Sequence, residues 1–95
     1  MGSCEPIVML VREYKIAVQD EDYRYIMTDC VDAGQYTLYV AGYDIGGRLV
    51  EILSKTFDFA RGRAVYDMEK DLEDYYDIKI MLWDDMKPLC RFYQK

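Results

Sequence analysis

The alternation of apolar and polar residues along the chain predicts β-strands. Two stretches, Tyr23–Val31 and Gln35–Tyr43, are rich in tyrosine, valine, isoleucine and threonine, the residue types that strands favour. The tripeptide Asp32–Gly34 separates them. Because Gly34 can adopt the positive φ that a short turn requires, the two stretches are predicted to pair as a hairpin.

A second hairpin is predicted where Asp44–Gly47 joins the strand ending at Tyr43 to the stretch Arg48–Phe57. Both faces of this stretch mix apolar and polar residues. One face carries Leu49, Glu51, Leu53, Lys55 and Phe57, and the other carries Val50, Ile52, Ser54 and Thr56. The pattern therefore leaves open which face points inward.

Three further strands complete the pattern: Ile7–Val18, then Arg63–Met68 after a predicted turn at Ala60–Gly62, and finally Asp77–Trp83. The last has apolar residues on both faces, which predicts an interior strand between two layers. Six or seven short strands separated by turns predict an all-β fold, specifically an Ig-like or fibronectin-like antiparallel β-sandwich.

One segment also fits a helix. Val65, Met68, Leu72 and Tyr75 recur at helical spacing among residues that favour helices. The alternative fold is therefore α+β, with a helix around residues 64–76.

Composition narrows the class of protein. A chain of 95 residues with 52% hydrophobic and 15% aromatic residues is expected to form a single folded domain over residues 1–95. Its net charge of −6, with lysine and arginine scattered singly, argues against nucleic-acid binding. No apolar stretch is long enough for membrane insertion. Residues 1–6 are expected to be vector-derived or disordered, and no signal peptide is recognised.

Two segments carry a resemblance to a known family. The first contains Ala41, Tyr43, Asp44, Gly47 and Leu49, in the pattern Ala-x-Tyr-Asp-x-x-Gly-x-Leu. The second contains the tripeptide Leu82–Asp84 and the tetrapeptide Met86–Leu89, which reads Met-Lys-Pro-Leu. Together they resemble the small Ig-like or fibronectin-like accessory modules of secreted and cell-surface multidomain proteins of Firmicutes, including carbohydrate-active enzymes. The turn before Met86 is shorter here than is usual in that family.

The resemblance implies an extracellular or cell-surface bacterial module without catalytic activity, and strand rather than helix around Tyr66. Such a module spaces or presents neighbouring domains of its parent chain, which are then its partners. It also implies that Tyr43 packs beside the hairpin turn.

Trp83 allows two interpretations, a core anchor or an exposed platform on which a sugar stacks. A single tryptophan on a strand that is apolar on both faces favours the core. The residues predicted to form the structural core around it are Trp83, Tyr43, Leu49, Leu82, Pro88 and Leu89.

The tyrosines suggest a binding surface. If their strands are adjacent, Tyr23, Tyr25 and Tyr39 would form a ring patch for a glycan or a peptide. The alternative is ordinary cross-strand pairing of aromatic rings, which stabilises a sheet by about 0.2–1 kcal/mol per pair. The second candidate function is therefore a carbohydrate- or peptide-binding module.

Metal binding and catalysis have little support in the sequence. No cofactor is expected, although clustered oxygens at Asp20 and Asp22 could bind Ca²⁺. Clustered acids are more often a solvated surface. The chain has no histidine, the commonest general base, and no nucleotide-binding motif, so no enzymatic activity is expected.

The three cysteines, Cys4, Cys30 and Cys90, leave the compartment open, because one disulfide with a free thiol and three reduced thiols are equally compatible with the sequence. Reduced cysteines would fit a third candidate, a small intracellular protein that associates through an exposed edge strand.

Overall fold

A computed structural model describes residues 12–18 and 24–94, which form a two-layered antiparallel β-sandwich. The strands are β1 (Lys15–Val18), β2 (Tyr25–Cys30), β3 (Gly34–Tyr43), β4 (Leu49–Phe59), β5 (Gly62–Asp67), β6 (Asp77–Asp84), β7 (Lys87–Pro88) and β8 (Tyr93–Gln94). A 3₁₀ helix spans Leu72–Asp74. In the described part of the chain, no helix is long and apolar enough to cross a membrane.

The strands divide between a three-stranded and a five-stranded sheet. The first sheet has the order β1-β2-β5, and the second has the order β4-β3-β6-β7, with β8 also paired to β6. The predicted all-β sandwich is therefore confirmed. The α+β alternative is wrong, because residues 62–67 form strand β5 and the helix that follows has only three residues.

The first predicted hairpin is wrong, because β2 and β3 lie in different sheets. The chain crosses between the layers at Asp32, whose carbonyl accepts a hydrogen bond of 2.9 Å from the Tyr36 hydroxyl. The Tyr14 hydroxyl in turn accepts the Asp32 N–H at 3.3 Å. Gly34 belongs to β3, opposite Phe59, and does not form a left-handed turn. Side-chain hydrogen bonds to the backbone therefore hold a crossover where the sequence resembled a turn.

The second predicted hairpin is confirmed, since β3 and β4 pair along their length. Asp44 organises the turn: its Oδ1 accepts hydrogen bonds of 2.9 Å from the N–H groups of Gly46 and Arg48. Gly47 adopts a φ of 76°, which glycine reaches without steric cost. The local sequence is thus sufficient to close this turn.

The core lies between the sheets and is built from alternate residues of the strands. Strands β2, β3 and β6 each present every second residue to it, while Phe59 closes one end. The fully buried large side chains include Ile26, Leu38, Val40, Ile78, Ile80 and Leu82. Strand β4 turns Leu53 and Phe57 inward, because they pair with the inward residues Val40 and Tyr36 of β3.

The helical spacing seen after residue 64 reflects burial at one end of the sandwich. Met68, Leu72 and Tyr75 are buried, but Val65 lies on the outer face of β5 and is 43% exposed. Asp71 caps the 3₁₀ helix, since its Oδ1 accepts the Glu73 N–H at 3.0 Å. The segment therefore closes the core as a strand followed by a single helical turn.

Candidate functional site on the outer face of the five-stranded sheet

Trp83 lies on the outer face of the five-stranded sheet, and its prediction as a core anchor is wrong. Its neighbour Leu82 is fully buried, whereas Trp83 is half-buried. Successive side chains of a strand point to opposite faces. Because Ile78, Ile80 and Leu82 occupy the inward positions of β6, Trp83 must face outward.

Trp83 forms an aromatic pair with Tyr39 of the adjacent strand. The two ring centroids are 5.8 Å apart and the ring planes meet at 72°, an edge-to-face arrangement. Strand register places Thr37 and Pro88 directly beside Trp83 and Met81 beside Tyr39. Both rings are half-buried, so each is held by its neighbours and still presents surface to solvent.

A second group of rings lies further along the same face. The Lys79 ammonium lies 5.4 Å from the centroid of Tyr43 and 5.1 Å from that of Phe92. These distances are typical of cation–π contacts. Beside them is a hollow of about 250 Å³, whose walls include Asp77, Tyr76 and Gln94. The hollow therefore combines tyrosine rings with two acidic residues, Asp44 and Asp77, and one basic residue, Lys79.

Ala41 connects the two aromatic groups, since Tyr39, Ala41 and Tyr43 occupy alternate positions of β3. Its neighbours on the adjacent strands are Ile52 and Lys79. Ala41 itself is only 3% exposed although it belongs to the outer face, because larger side chains surround it. The outer face is therefore a continuous, mainly apolar surface, which we call the aromatic face and define by Tyr39, Tyr43, Lys79, Met81, Trp83 and Phe92.

The structure does not assemble the predicted tyrosine patch. Tyr25 belongs to β2 and faces outward from the three-stranded sheet, on the opposite side of the sandwich from Tyr39. Tyr23 lies outside the described residues. The patch was predicted on the assumption that β2 and β3 are adjacent, and their separation removes that basis. Tyr39 instead pairs with Trp83. The available signal was the alternation of β6, which places Leu82 and Trp83 on opposite faces and so allows only one of them to enter the core.

The other predicted core residues fall at different depths. Tyr43 is half-buried on the aromatic face, and Leu89 is half-buried against the core, with its N–H donating to the Leu82 carbonyl at 2.9 Å. Leu49 is 51% exposed, because it begins an edge strand beside a β-bulge. Pro88 is exposed in β7. Leu49 and Pro88 therefore do not belong to the core.

The predicted Ca²⁺ ligands Asp20 and Asp22, and the segment 1–6, lie outside the described residues. Within residues 12–18 and 24–94, no group of three or more histidine, cysteine or acidic side chains could hold a metal ion. Two of the other clustered acids have local roles. Asp71 caps the 3₁₀ helix, and Asp85 occupies the turn after β6 with a φ of 56°.

The outer face of the opposite sheet carries two ion pairs. Arg63 of β5 lies directly across from Asp29 of β2, and its guanidinium donates to both carboxylate oxygens at 2.8 and 3.3 Å. This hydrogen bonding lowers the pKa of Asp29. Arg24 pairs with Asp67 in the same way, at 2.7 and 2.8 Å, and lowers the pKa of its carboxyl group.

The described thiols are weak nucleophiles. Cys30 is fully buried and Cys90 is half-buried, and burial raises the pKa of both. Among the described residues, neither forms a disulfide. Because the thiolate is the reactive form, a raised pKa makes these residues less reactive at neutral pH.

Comparisons with protein-family models, curated protein sequences and solved structures found no match to this chain. The chemistry of the aromatic face must therefore be judged from its own geometry. Rings held at fixed angles offer flat apolar surface for stacking, and Lys79 and Asp77 offer polar contacts at its edge. This combination suits a ligand with apolar faces and hydroxyl or amide groups.

Proposed function

We propose that this chain is a non-catalytic β-sandwich module of a larger secreted or cell-surface protein, in which it spaces or presents neighbouring domains. The observation that carries the proposal is the strand order. Immunoglobulin-like sandwiches place strands A, B, E and D in one sheet and strands C, F and G in the other, with C′ beside C in some members. Here the two sheets have the orders β1-β2-β5 and β4-β3-β6-β7.

This order supports the proposal, because every strand except β8 has a counterpart, and only strand D of that fold has none in the described part of the chain. In the lettering of that fold, β1, β2 and β5 correspond to A, B and E, and β3, β4, β6 and β7 to C, C′, F and G. The resemblance of the segments around Tyr43 and Trp83 points to the same class of module. Domains of this class commonly serve as units in multidomain surface proteins.

The test is the gene that encodes the chain. A long reading frame with a secretion signal and further domains would support the proposal. A short reading frame that ends with this domain and lacks a secretion signal would contradict it, and would favour the intracellular interaction protein. Fractionation of the source cells, with detection by an antibody against the domain, would give an independent measure of its location.

A second candidate function is binding of a carbohydrate or a peptide through the aromatic face. The observation that favours it is the Tyr39–Trp83 pair, which presents two ordered rings on the solvent side of the sheet. Ring stacking on such a platform needs no further rearrangement of the strands. Asp77 and Lys79 lie on the same face and could select among ligands by hydrogen bonding.

Isothermal titration against soluble polysaccharides and short peptides tests this second candidate. Tyr39→Ala should weaken any binding at least about tenfold, since an aromatic contact at a binding centre typically contributes more than 1 kcal/mol. Tyr25→Ala is the matched control, because Tyr25 is also half-buried but faces outward from the other sheet. Equal weakening by both substitutions, or no binding by the wild type, would contradict this candidate.

A further inference from the structure

Within residues 12–18 and 24–94, strand β4 ends the five-stranded sheet and has no neighbouring strand on its outer side. Among the described residues β4 pairs with β3 alone, so its outer row of backbone groups is available to another strand. It is 11 residues long. Two of its apolar side chains, Val50 and Ile52, are 58% and 59% exposed. Long edges with exposed apolar residues readily add a further strand.

Backbone geometry restricts how two copies of β4 could pair. The N–H and C=O groups of successive residues point to opposite sides of a strand. Two identical antiparallel strands related by a two-fold axis must therefore place one residue opposite its own copy. A register in which a residue faces its sequence neighbour would require adjacent residues to point their backbone groups to the same side.

One of these registers is favoured by charge. With Leu53 opposite its own copy, Glu51 faces Lys55 of the second copy, and Lys55 faces Glu51. Centring on Glu51 or Lys55 would place like charges opposite each other. Centring on Ile52 or Ser54 would form no ion pair. Opposite charges directly across a strand pair stabilise it, and like charges destabilise it.

The charge symmetry continues toward the ends of the strand, because Arg48 and Asp58 are also equidistant from Leu53 and opposite in sign. The register of β3 and β4 shifts near Val50, where Gly42 pairs with Glu51 and Tyr43 pairs with Leu49. Arg48 lies beyond this bulge. The regular segment 51–55 therefore carries the inference, with the pair of Glu51 and Lys55 at its two ends.

The existing partners of these two charges do not oppose the pairing. Glu51 accepts a hydrogen bond of 2.8 Å from the Tyr75 hydroxyl and lies 3.8 Å from the Lys70 ammonium. Lys55 pairs with Glu69 at 2.7 Å. Across the interface, four charges of alternating sign would lie in a row. Lys70 and Glu51 of one copy would be followed by Lys55 and Glu69 of the second copy. Each charge would keep its own partner and gain one of opposite sign.

We propose that the chain forms a symmetric homodimer through antiparallel pairing of β4 with its own copy, centred on Leu53. The two five-stranded sheets then form one continuous sheet. Leu53, which packs against the core, meets its own copy on the inner face, and the exposed Ile52 lies beside Ser54 of the second copy. The two-fold axis is perpendicular to the sheet, so both aromatic faces lie on the same side of the dimer.

Sedimentation equilibrium of the purified chain tests the proposal. The wild type should associate reversibly to a dimer. Glu51→Lys and Lys55→Glu should each raise the dimer dissociation constant about tenfold, because like-charge pairs replace both opposite-charge pairs at the interface. Glu73→Lys and Lys87→Glu make the same changes at exposed positions outside β4 and should leave the dissociation constant unchanged.

An equimolar mixture of the Glu51→Lys and Lys55→Glu chains provides the decisive measurement. In a mixed dimer both pairs are again opposite in charge, so the mixture should dimerise more tightly than either variant alone. Residues 51 and 55 are about 13 Å apart along one strand, so recovery in the mixture must arise between chains. Effects of the substitutions on Tyr75, Lys70 or Glu69 persist in the mixture and cannot cause the recovery.

Three results would overturn the proposal. One is a wild type that stays monomeric up to about 1 mM, where even weak specific interfaces associate, which would leave the edge to a strand of another protein. Another is a dimer that tolerates both single substitutions, which would place the interface elsewhere. The third is a mixture that dimerises no better than its components.

Discussion

Gly42→Ala is expected to destabilise the fold through one close contact. Gly42 lies on the inner side of β3, where the ring of Tyr75 packs directly over its backbone. A Cβ atom at position 42 would lie 2.5 to 2.7 Å from three ring atoms of Tyr75. Observed Cβ atoms do not approach other atoms so closely, so the ring or the strand must move.

The size of the stability loss expected for Gly42→Ala depends on how firmly the Tyr75 side chain is held. Tyr75 is 8% exposed and its hydroxyl donates to Glu51 at 2.8 Å, so both ends of the side chain are held. Overpacking a well-packed core typically costs about 1–3 kcal/mol. Without the clash, alanine would stabilise a strand relative to glycine by about 0.5–1 kcal/mol. The sign of the effect therefore depends on Tyr75.

Urea unfolding of four proteins measures this dependence: the wild type, Gly42→Ala, Tyr75→Ala and the double variant. Circular dichroism at one fixed protein concentration would report the unfolding free energy of each. We expect Gly42→Ala to cost about 1–3 kcal/mol in the wild type and to be neutral or stabilising in the Tyr75→Ala background. Gly46→Ala, whose Cβ would meet nothing closer than 3.4 Å, should change stability by less than about 0.5 kcal/mol.

An equal cost of Gly42→Ala in both backgrounds would refute the reasoning. The cost would then come from the backbone of β3 and not from the ring above it. The double-mutant cycle separates these causes, because only the ring contact is removed by changing Tyr75.

Two further predictions concern the two faces of β6 and the ion pairs of the three-stranded sheet. Leu82→Ala should lower the unfolding free energy by about 2–5 kcal/mol, because Leu82 is a core residue. Trp83→Ala should lower it by only about 1 kcal/mol, the contribution of an aromatic pair. Equal losses of stability in urea unfolding would contradict the assignment of the two faces of β6. The hydrogen-bonded Arg63 lowers the pKa of Asp29 in the folded state, so this pair stabilises the fold fully above the ordinary carboxyl pKa of about 3.9 and progressively less as the pH falls below it. Asp29→Asn should therefore show a flatter loss of stability than the wild type between about pH 5 and pH 2, and parallel profiles would argue against the pair.

Much of the strand content could be predicted from the sequence, because local patterns specify it. Alternation over Asp77–Trp83 predicted a strand that the structure places at Asp77–Asp84. The turn after Tyr43 was predictable because Asp44 and Gly47 supply its hydrogen bonds and its positive φ themselves. The same local reasoning failed at Gly34, because the chain there crosses between the sheets. Hydrogen bonds between Asp32 and the side chains of Tyr14 and Tyr36 hold this crossover. Tyr14 is distant in the sequence, and the sequence does not show to which side the Tyr36 ring points.

The candidate site was less predictable, because it depends on which strands are neighbours. Tyr39, which the sequence suggested for a binding surface, lies on the aromatic face, but its partner there is Trp83 and not Tyr25. The sequence of β2 alone does not show to which sheet β2 belongs. The sequence of β6 alone does not show which of its faces points inward. Both follow from the packing of residues far apart in the chain.

The sequence by itself therefore determined the secondary structure class, the β3–β4 hairpin and the charge symmetry of β4 about Leu53, since each depends on residues close together in the chain. Only the tertiary structure decided that β2 and β3 lie in separate sheets, that Leu82 is inward and Trp83 outward, and that β4 ends its sheet in the described part of the chain. The physical reason is that an alternating strand has two possible faces. Burial against distant strands selects between them, and strand order decides which backbone groups remain open.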